Sequence, residues 1–179
     1  KIFRLLFCLI CSLAIFVALN SPELEVLGLT TIFGNAATTT CTENALRLLE
    51  IAERTDVPVI EGAKVPINGN FRGAASFVHG DNGQGNAALS SPVTKPLDVD
   101  AVNFLKEIIE SNPNEITLVP VGPLTNIANL LTIHEGIDSK IKEIVLMGGN
   151  AQSPGNATPT AEANILNDPE AADIVFSAQ

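Results

Sequence analysis

The stretch Ile144–Phe176, IVLMGGNAQSPGNATPTAEANILNDPEAADIVF, decides how the rest of the chain is read. Ile144–Met147 is a short apolar run closed by Gly148 and Gly149, the pattern of a buried strand ending in a tight turn. A loop rich in Asn, Ser, Pro and Gly follows. Glu162 and Asn164 stand two residues apart, so an extended backbone there points both side chains the same way. Asp168-Pro169 then predicts a helix start, with Asp as N-cap and Pro at the first helical position. A strand feeding a polar loop and then a helix is how open α/β sheets build sites, at the carboxyl ends of their strands. Asn156, Glu162 and Asn164 are thus a candidate set of hydrogen-bonding groups for a polyhydroxylated ligand.

Outward from this stretch, strands alternate with helices. Val26–Phe33 is β-rich and stops at Gly34-Asn35, and Thr42 is placed to cap a helix whose apolar face is Ala45, Leu48, Leu49 and Ala52. Val57–Ile60 is a short strand with Pro58 near its start, a position tolerated on a sheet edge. Lys64–Pro96 is a long polar region without periodicity, read as a loop bordering a site. Asp100 caps a helix facing inward through Ala101, Phe104, Leu105, Ile108 and Ile109. Ile116–Val121 is the next strand and Pro123–Leu131 the next helix, with Asn126 assigned to hold the Gly122-Pro123 turn. The fold class expected is α/β: an open, mostly parallel Rossmann-like sheet with helices on both faces.

Composition narrows the function classes. The 179 residues make one domain by length, 46% hydrophobic and 17% charged, with a net charge of −10. No basic cluster occurs, which argues against nucleic acid as a partner, since phosphate backbones demand a Lys/Arg footprint. With no Trp and no Tyr, platforms for stacking bases are few. Three cysteines do not make a disulfide framework, and Cys8-Leu9-Ile10-Cys11 lacks the second ligand pair of a zinc site.

Residues 1–20 form an apolar segment set apart from the domain at 21–179. Leu5–Leu19 carries no charge and follows Lys1 and Arg4. One reading is the first strand and helix of the sheet. The other is a secretory signal, too short for a comfortable membrane span. The first reading goes with a cytoplasmic location, the second with secretion.

Several ordered blocks carry a family resemblance: SPELEVLGLTTIFGN (21–35), NALRLLEIA.RTDVPV (44–59), FVHG (77–80), LVPVGPLTNIA (118–128) and MGG…GN.TP.AE.NI..DPEAA from Met147 onward. Together they resemble the inosine/uridine-preferring nucleoside hydrolases. The resemblance implies hydrolysis of the N-glycosidic bond of purine and pyrimidine ribonucleosides, with a homo-oligomeric assembly expected of a full-length member. It implies that Asn35, Asn156, Glu162 and Asn164 grip the sugar hydroxyls, that His79 borders the base and that Met147 lines the pocket.

The family also implies calcium, held by a motif like DTDPGIDD. Aligned here, that motif falls on RLLFCLIC, so its four aspartate positions are Arg4, Leu6, Ile10 and Cys11. None offers a side-chain oxygen, whereas calcium takes six to eight oxygen ligands, and Arg4 would add a repelling charge. The backbone carbonyl of Val121 corresponds to a further metal contact. Calcium is therefore expected of the family and not of this chain. In relatives the leaving-group histidine lies in the C-terminal portion, beyond the match to Gln179. The 179 residues alone are expected to be marginally folded and inactive.

Overall fold

The computed structural model describes residues 3–9 and 12–178, and Arg4 is the one residue of the first strand whose side chain is described. Five strands form one parallel sheet in the order β3-β2-β1-β4-β5: β1 Phe3–Leu9, β2 Leu24–Thr31, β3 Val59–Ile60, β4 Ile116–Pro120 and β5 Glu143–Ile144. Helices α1 (Ser12–Leu19) and α2 (Thr38–Ile51) pack on one face. Helices α4 (Ala101–Ser111), α5 (Thr125–Ile133) and α7 (Pro169–Ser177) cover the other, while α3 (Ser76–His79) and α6 (Ala163–Asn167) are short helices in loops.

The two cores follow from strand alternation. On β4, Ile116 and Leu118 face α4, α5 and α7, and Val119 faces α1 and α2. On β2 the alternation is broken: Leu5 pairs with Val26 but Leu6 with Gly28, so Leu27 is an extra, bulged residue. That is why Val26 and Leu29, three apart, both join the α1/α2 core while Leu27 packs on the other.

Several elements differ from the sequence expectation. Helix α2 starts at Thr38, not after Thr42, from an extended Ala37 with no side-chain cap. Thr42 is buried inside it, its hydroxyl donating to the Thr38 carbonyl at 2.8 Å and lying 2.7 Å from the Thr31 hydroxyl. Three successive β-branched threonines conceal that first turn from propensity reasoning. Helix α5 begins at Thr125, not Pro123. Asn126 does not hold the Gly122-Pro123 turn. Its Nδ2 donates to the Thr31 carbonyl at 3.0 Å and its Oδ1 accepts from Ala63 N at 2.9 Å, tying the end of β2 to the loop after β3. Gly62 sits against this bridge, where a Cβ would lie 2.3 Å from the Thr31 carbonyl oxygen.

The run Ile144–Met147 is not a buried strand. Its backbone continues along β4, with Val145 N and Met147 N donating to the carbonyls of Leu118 and Pro120, both at 2.9 Å. Ile144 and Leu146 pack on the α7 side, whereas Val145 and Met147, on the other face, are half exposed. Beside them β5 is the sheet edge, so only one of its faces is covered. Among the described residues no helix is long and apolar enough to cross a membrane.

Truncating Leu118, fully buried between the sheet and α5, should lower unfolding free energy by about 2–5 kcal/mol in a urea titration of Leu118→Ala. Leu13→Ala, on the exposed side of α1, should change it by no more than about 0.5 kcal/mol.

Candidate functional site

Because all five strands are parallel, the loops that follow them emerge on one edge of the sheet. The strand order reverses at β1: the chain runs outward through β2 to β3, then crosses to β4 and β5 on the other side. In such sheets the crevice for a ligand opens between the strands that flank the reversal, here β1 and β4. Val121 follows β4 directly, and Met147 ends the stretch that continues β5.

Asn164 ties these strand ends together. Its Nδ2 donates to the Met147 carbonyl at 2.9 Å and lies 3.3 Å from the Met147 sulfur, with a longer contact of 3.5 Å to the Val121 carbonyl. Asn164 is buried, and its Oδ1 has no protein hydrogen-bond partner among the described residues.

Glu162 and Asn164 are not on an extended strand. Glu162 is the N-cap of α6: Oε1 accepts from Asn164 N at 2.9 Å and Oε2 from Ile165 N at 3.1 Å. Oε2 also accepts from Gly149 N at 2.9 Å, locking the Gly148-Gly149 turn to the helix. Gly149 has φ 78°, a left-handed conformation that glycine adopts without strain. A five-residue helix is too short to show in apolar periodicity, which is why the sequence reading missed it. Asn156 belongs to the same cluster, its Oδ1 accepting from Ala163 N at 2.9 Å. Its Nδ2 has no protein partner among the described residues.

Polar capacity left over after capping defines what this cluster can bind. Asn156 Nδ2 offers a donor and Asn164 Oδ1 an acceptor. The Glu162 carboxylate has room for roughly four hydrogen bonds and uses three. Interleaved donors and acceptors suit adjacent hydroxyl groups, each of which donates and accepts.

The remaining sequence candidates lie beside β2. Asn35 follows that strand, and its carbonyl accepts from Ala75 N at 3.1 Å, which fastens the start of α3 and its His79 to the same sheet edge. Phe33 and Phe71 pack edge to face with ring centres 5.1 Å apart, reinforcing that attachment. Asp168 is a structural cap, fully buried. It accepts from the Thr125 hydroxyl at 2.6 Å, from Ile67 N at 3.0 Å and from Ala171 N at 3.1 Å. Sequence reasoning found the cap and missed Thr125 and Ile67, which lie 43 and 101 residues away.

The proposed metal positions divide. Ile10 and Cys11 lie outside the described residues. Arg4 and Leu6 belong to β1, and Arg4 pairs with Ile116 at the amino-terminal start of β4. There its guanidinium reaches Glu25 at 3.2 Å and Glu115 at 2.9 Å, at the opposite end of the sheet from the crevice. Its charge therefore repels nothing at the site. Among the described residues no group of three or more His, Cys, Asp or Glu comes together to hold a metal. With no side-chain oxygen at positions 4, 6, 10 and 11, the donor set does not fit calcium.

Comparison with known proteins agrees with this geometry. The family model described as inosine-uridine preferring nucleoside hydrolase matches residues 12–179. The chain belongs to that family. It is 49% identical over 167 residues to uridine nucleosidase 1 of Arabidopsis thaliana, which covers 93% of this chain and 50% of the relative. It is 46% identical to the pyrimidine-specific ribonucleoside hydrolase RihA of Shewanella sp. (strain MR-7), covering 93% and 52%. Among solved structures, a plant nucleoside hydrolase, the PpNRh1 enzyme, superposes with a TM-score of 0.96 at 43% identity, over 99% of this chain and 57% of that one. A purine-preferring ribonucleoside hydrolase from Gardnerella vaginalis gives 0.94 at 35% identity, over 98% and 58%. The chain thus spans about half the length of the curated relatives it matches.

Asp168→Ala should destabilise the fold more than Glu162→Ala. Each buried donor left unpaired costs about 1–3 kcal/mol, and the donors on Asp168 are the more deeply buried. Urea unfolding of the two variants side by side gives the order.

Proposed function

We propose that the sheet edge carrying Asn35, Asn156, Glu162 and Asn164 binds the ribose of a ribonucleoside, and that the reaction it serves is hydrolysis of the N-glycosidic bond to ribose and free base. The observation that carries this reading is the convergence of Glu162, Asn164 and Asn156 on the ends of β4 and β5, each keeping polar capacity suited to hydroxyl groups. The names of the relatives, nucleosidases and ribonucleoside hydrolases, support it.

In this reading Asn156 donates to a sugar hydroxyl and Asn164 accepts from its neighbour, fixing the ring. Glu162 places a carboxylate beside it. Cleavage of a glycosidic bond passes through an oxocarbenium-like state. A fixed negative charge beside the developing positive charge stabilises that state more than the neutral ground state. His79 and Met147 border the space for the base. The positions that the resemblance aligns with the family's aspartates carry no side-chain oxygen, so no step here is assigned to a metal.

A second reading is a non-catalytic homologue that keeps the scaffold and ribose binding. The lack of a side-chain oxygen at Leu6, Ile10 and Cys11, which the resemblance aligns with aspartate positions, favours it. Release of free base from uridine and inosine, followed with calcium and with a chelator, separates the two. The hydrolase reading expects release that Glu162→Gln reduces by roughly 10²-fold. Ribose binding without release would establish the second reading, and failure to bind ribose or nucleoside would sink both.

A further inference from the structure

The loop that carries His79 is fastened to the body of the protein by one side of α2, through three residues spaced three apart. Asn44 Nδ2 donates to the Asn82 carbonyl at 2.8 Å. Arg47 Nε donates to the Ser90 carbonyl at 2.6 Å, and its Nη1 reaches Gln84 Oε1 at 3.4 Å and Asn44 Oδ1. Glu50 Oε1 accepts from Val93 N at 2.8 Å, Thr94 N at 2.7 Å and Thr94 Oγ1 at 2.6 Å. The bonds of Arg47 and Glu50 are charge-assisted, and they hold the part of this Gly- and Asn-rich loop that follows His79. The Thr94 bonds also hold the Glu50 carboxyl below the usual carboxylate range.

Within the loop, hydrogen bonds run back from the anchor to His79. Asn82 Oδ1 accepts from Gln84 N and Asn86 N, both at 2.9 Å, and Asn86 sits at φ 59° with its own Oδ1 accepting from Asp81 N at 2.8 Å. Gly85 N then donates to the His79 carbonyl at 2.6 Å. Only Gly80 and Asp81 separate His79 from Asn82, whose carbonyl Asn44 holds.

We propose that Asn44, Arg47 and Glu50 are positioning residues: they set the place of His79 against the sheet edge and so govern recognition of the nucleobase, while the ribose cluster on α6 is independent of them. The proposal rests on the ribonucleoside reading for what His79 meets, not for how the loop is held. None of the three residues touches the ribose cluster in any described bond, which separates the two halves of recognition.

The test uses the chain with Glu50→Ala, Glu50→Gln and Arg47→Ala, since Gln keeps an acceptor oxygen where Ala has none. Amide exchange over residues 79–94 should quicken roughly tenfold in Glu50→Ala and Arg47→Ala, and exchange in β4 should not change. The chain has two histidines, so the His79 ring resonance is followed with His134 as internal reference. His79 should shift or broaden in both Ala variants and return in Glu50→Gln. Uridine and inosine affinity should fall about tenfold in the Ala variants, with free ribose affinity unchanged. Unchanged loop exchange, or faster exchange with an unmoved His79 resonance, would overturn the proposal, as would equal loss of ribose and nucleoside affinity. A parent chain that binds ribose but no nucleoside counts against the ribonucleoside reading, and the His79 resonance then still decides whether the clasp positions it.

Discussion

A parallel strand can be joined to its neighbour only by a crossover, and this requirement shapes everything else in the molecule. Five parallel strands send all their following loops to one sheet edge. With β1 in the middle and crossovers of a single hand, α1 and α2 fall on one face and α4 and α5 on the other. Residues far apart in sequence, Asn35, Val121, Met147 and Asn164, are thereby brought to the same edge without any of them being needed for the core.

At that edge the groups that hold the backbone in place are the same groups that the proposed reading offers to a ribose. Glu162 caps α6 and fixes the Gly149 turn, Asn156 holds Ala163, and Asn164 joins the ends of two strands. Each spends part of its hydrogen-bonding capacity on the fold and leaves part unused. Such sharing orients the groups in advance, so little ordering entropy is left to lose on binding. It also means that substitutions here alter stability and binding together, unlike those at Asp168, which is wholly committed to Thr125, Ile67 and Ala171.

The alternating strands and helices were legible because their signals are local: Asp100 and Asp168 cap the helices they precede, and Pro58 stands immediately before the edge strand β3. What misled is equally physical. The run Ile144–Met147 is apolar, but burial depends on what covers each face, and only the α7 side is covered. Glu162 and Asn164 were grouped by spacing and by resemblance; Glu162 is extended as the N-cap, but Asn164 lies inside a one-turn helix where local pattern had an extended backbone. Asn126 could not be read at all, because its partners, Thr31 and Ala63, are 95 and 63 residues away. Arg4 looked like a charge in the crevice by alignment and lies at the far end of β1, paired with Glu25 and Glu115.

In the proposed reading the chain keeps the ribose-facing half of its family's chemistry, while the residues that the resemblance aligns with the calcium positions offer no side-chain oxygen. Ribose recognition at the α6 cap is therefore the claim on which the rest stands. The most direct measurement is an amide-resolved NMR titration of the chain with free ribose, in chelator. Recognition at this edge predicts saturable shifts at Gly149, Ala163, Asn164 and Ile165, whose N–H groups bond to Glu162 or Asn156. No shift, or shifts confined to the groove of about 240 Å³ between Leu46, Val57 and Pro96, would contradict it.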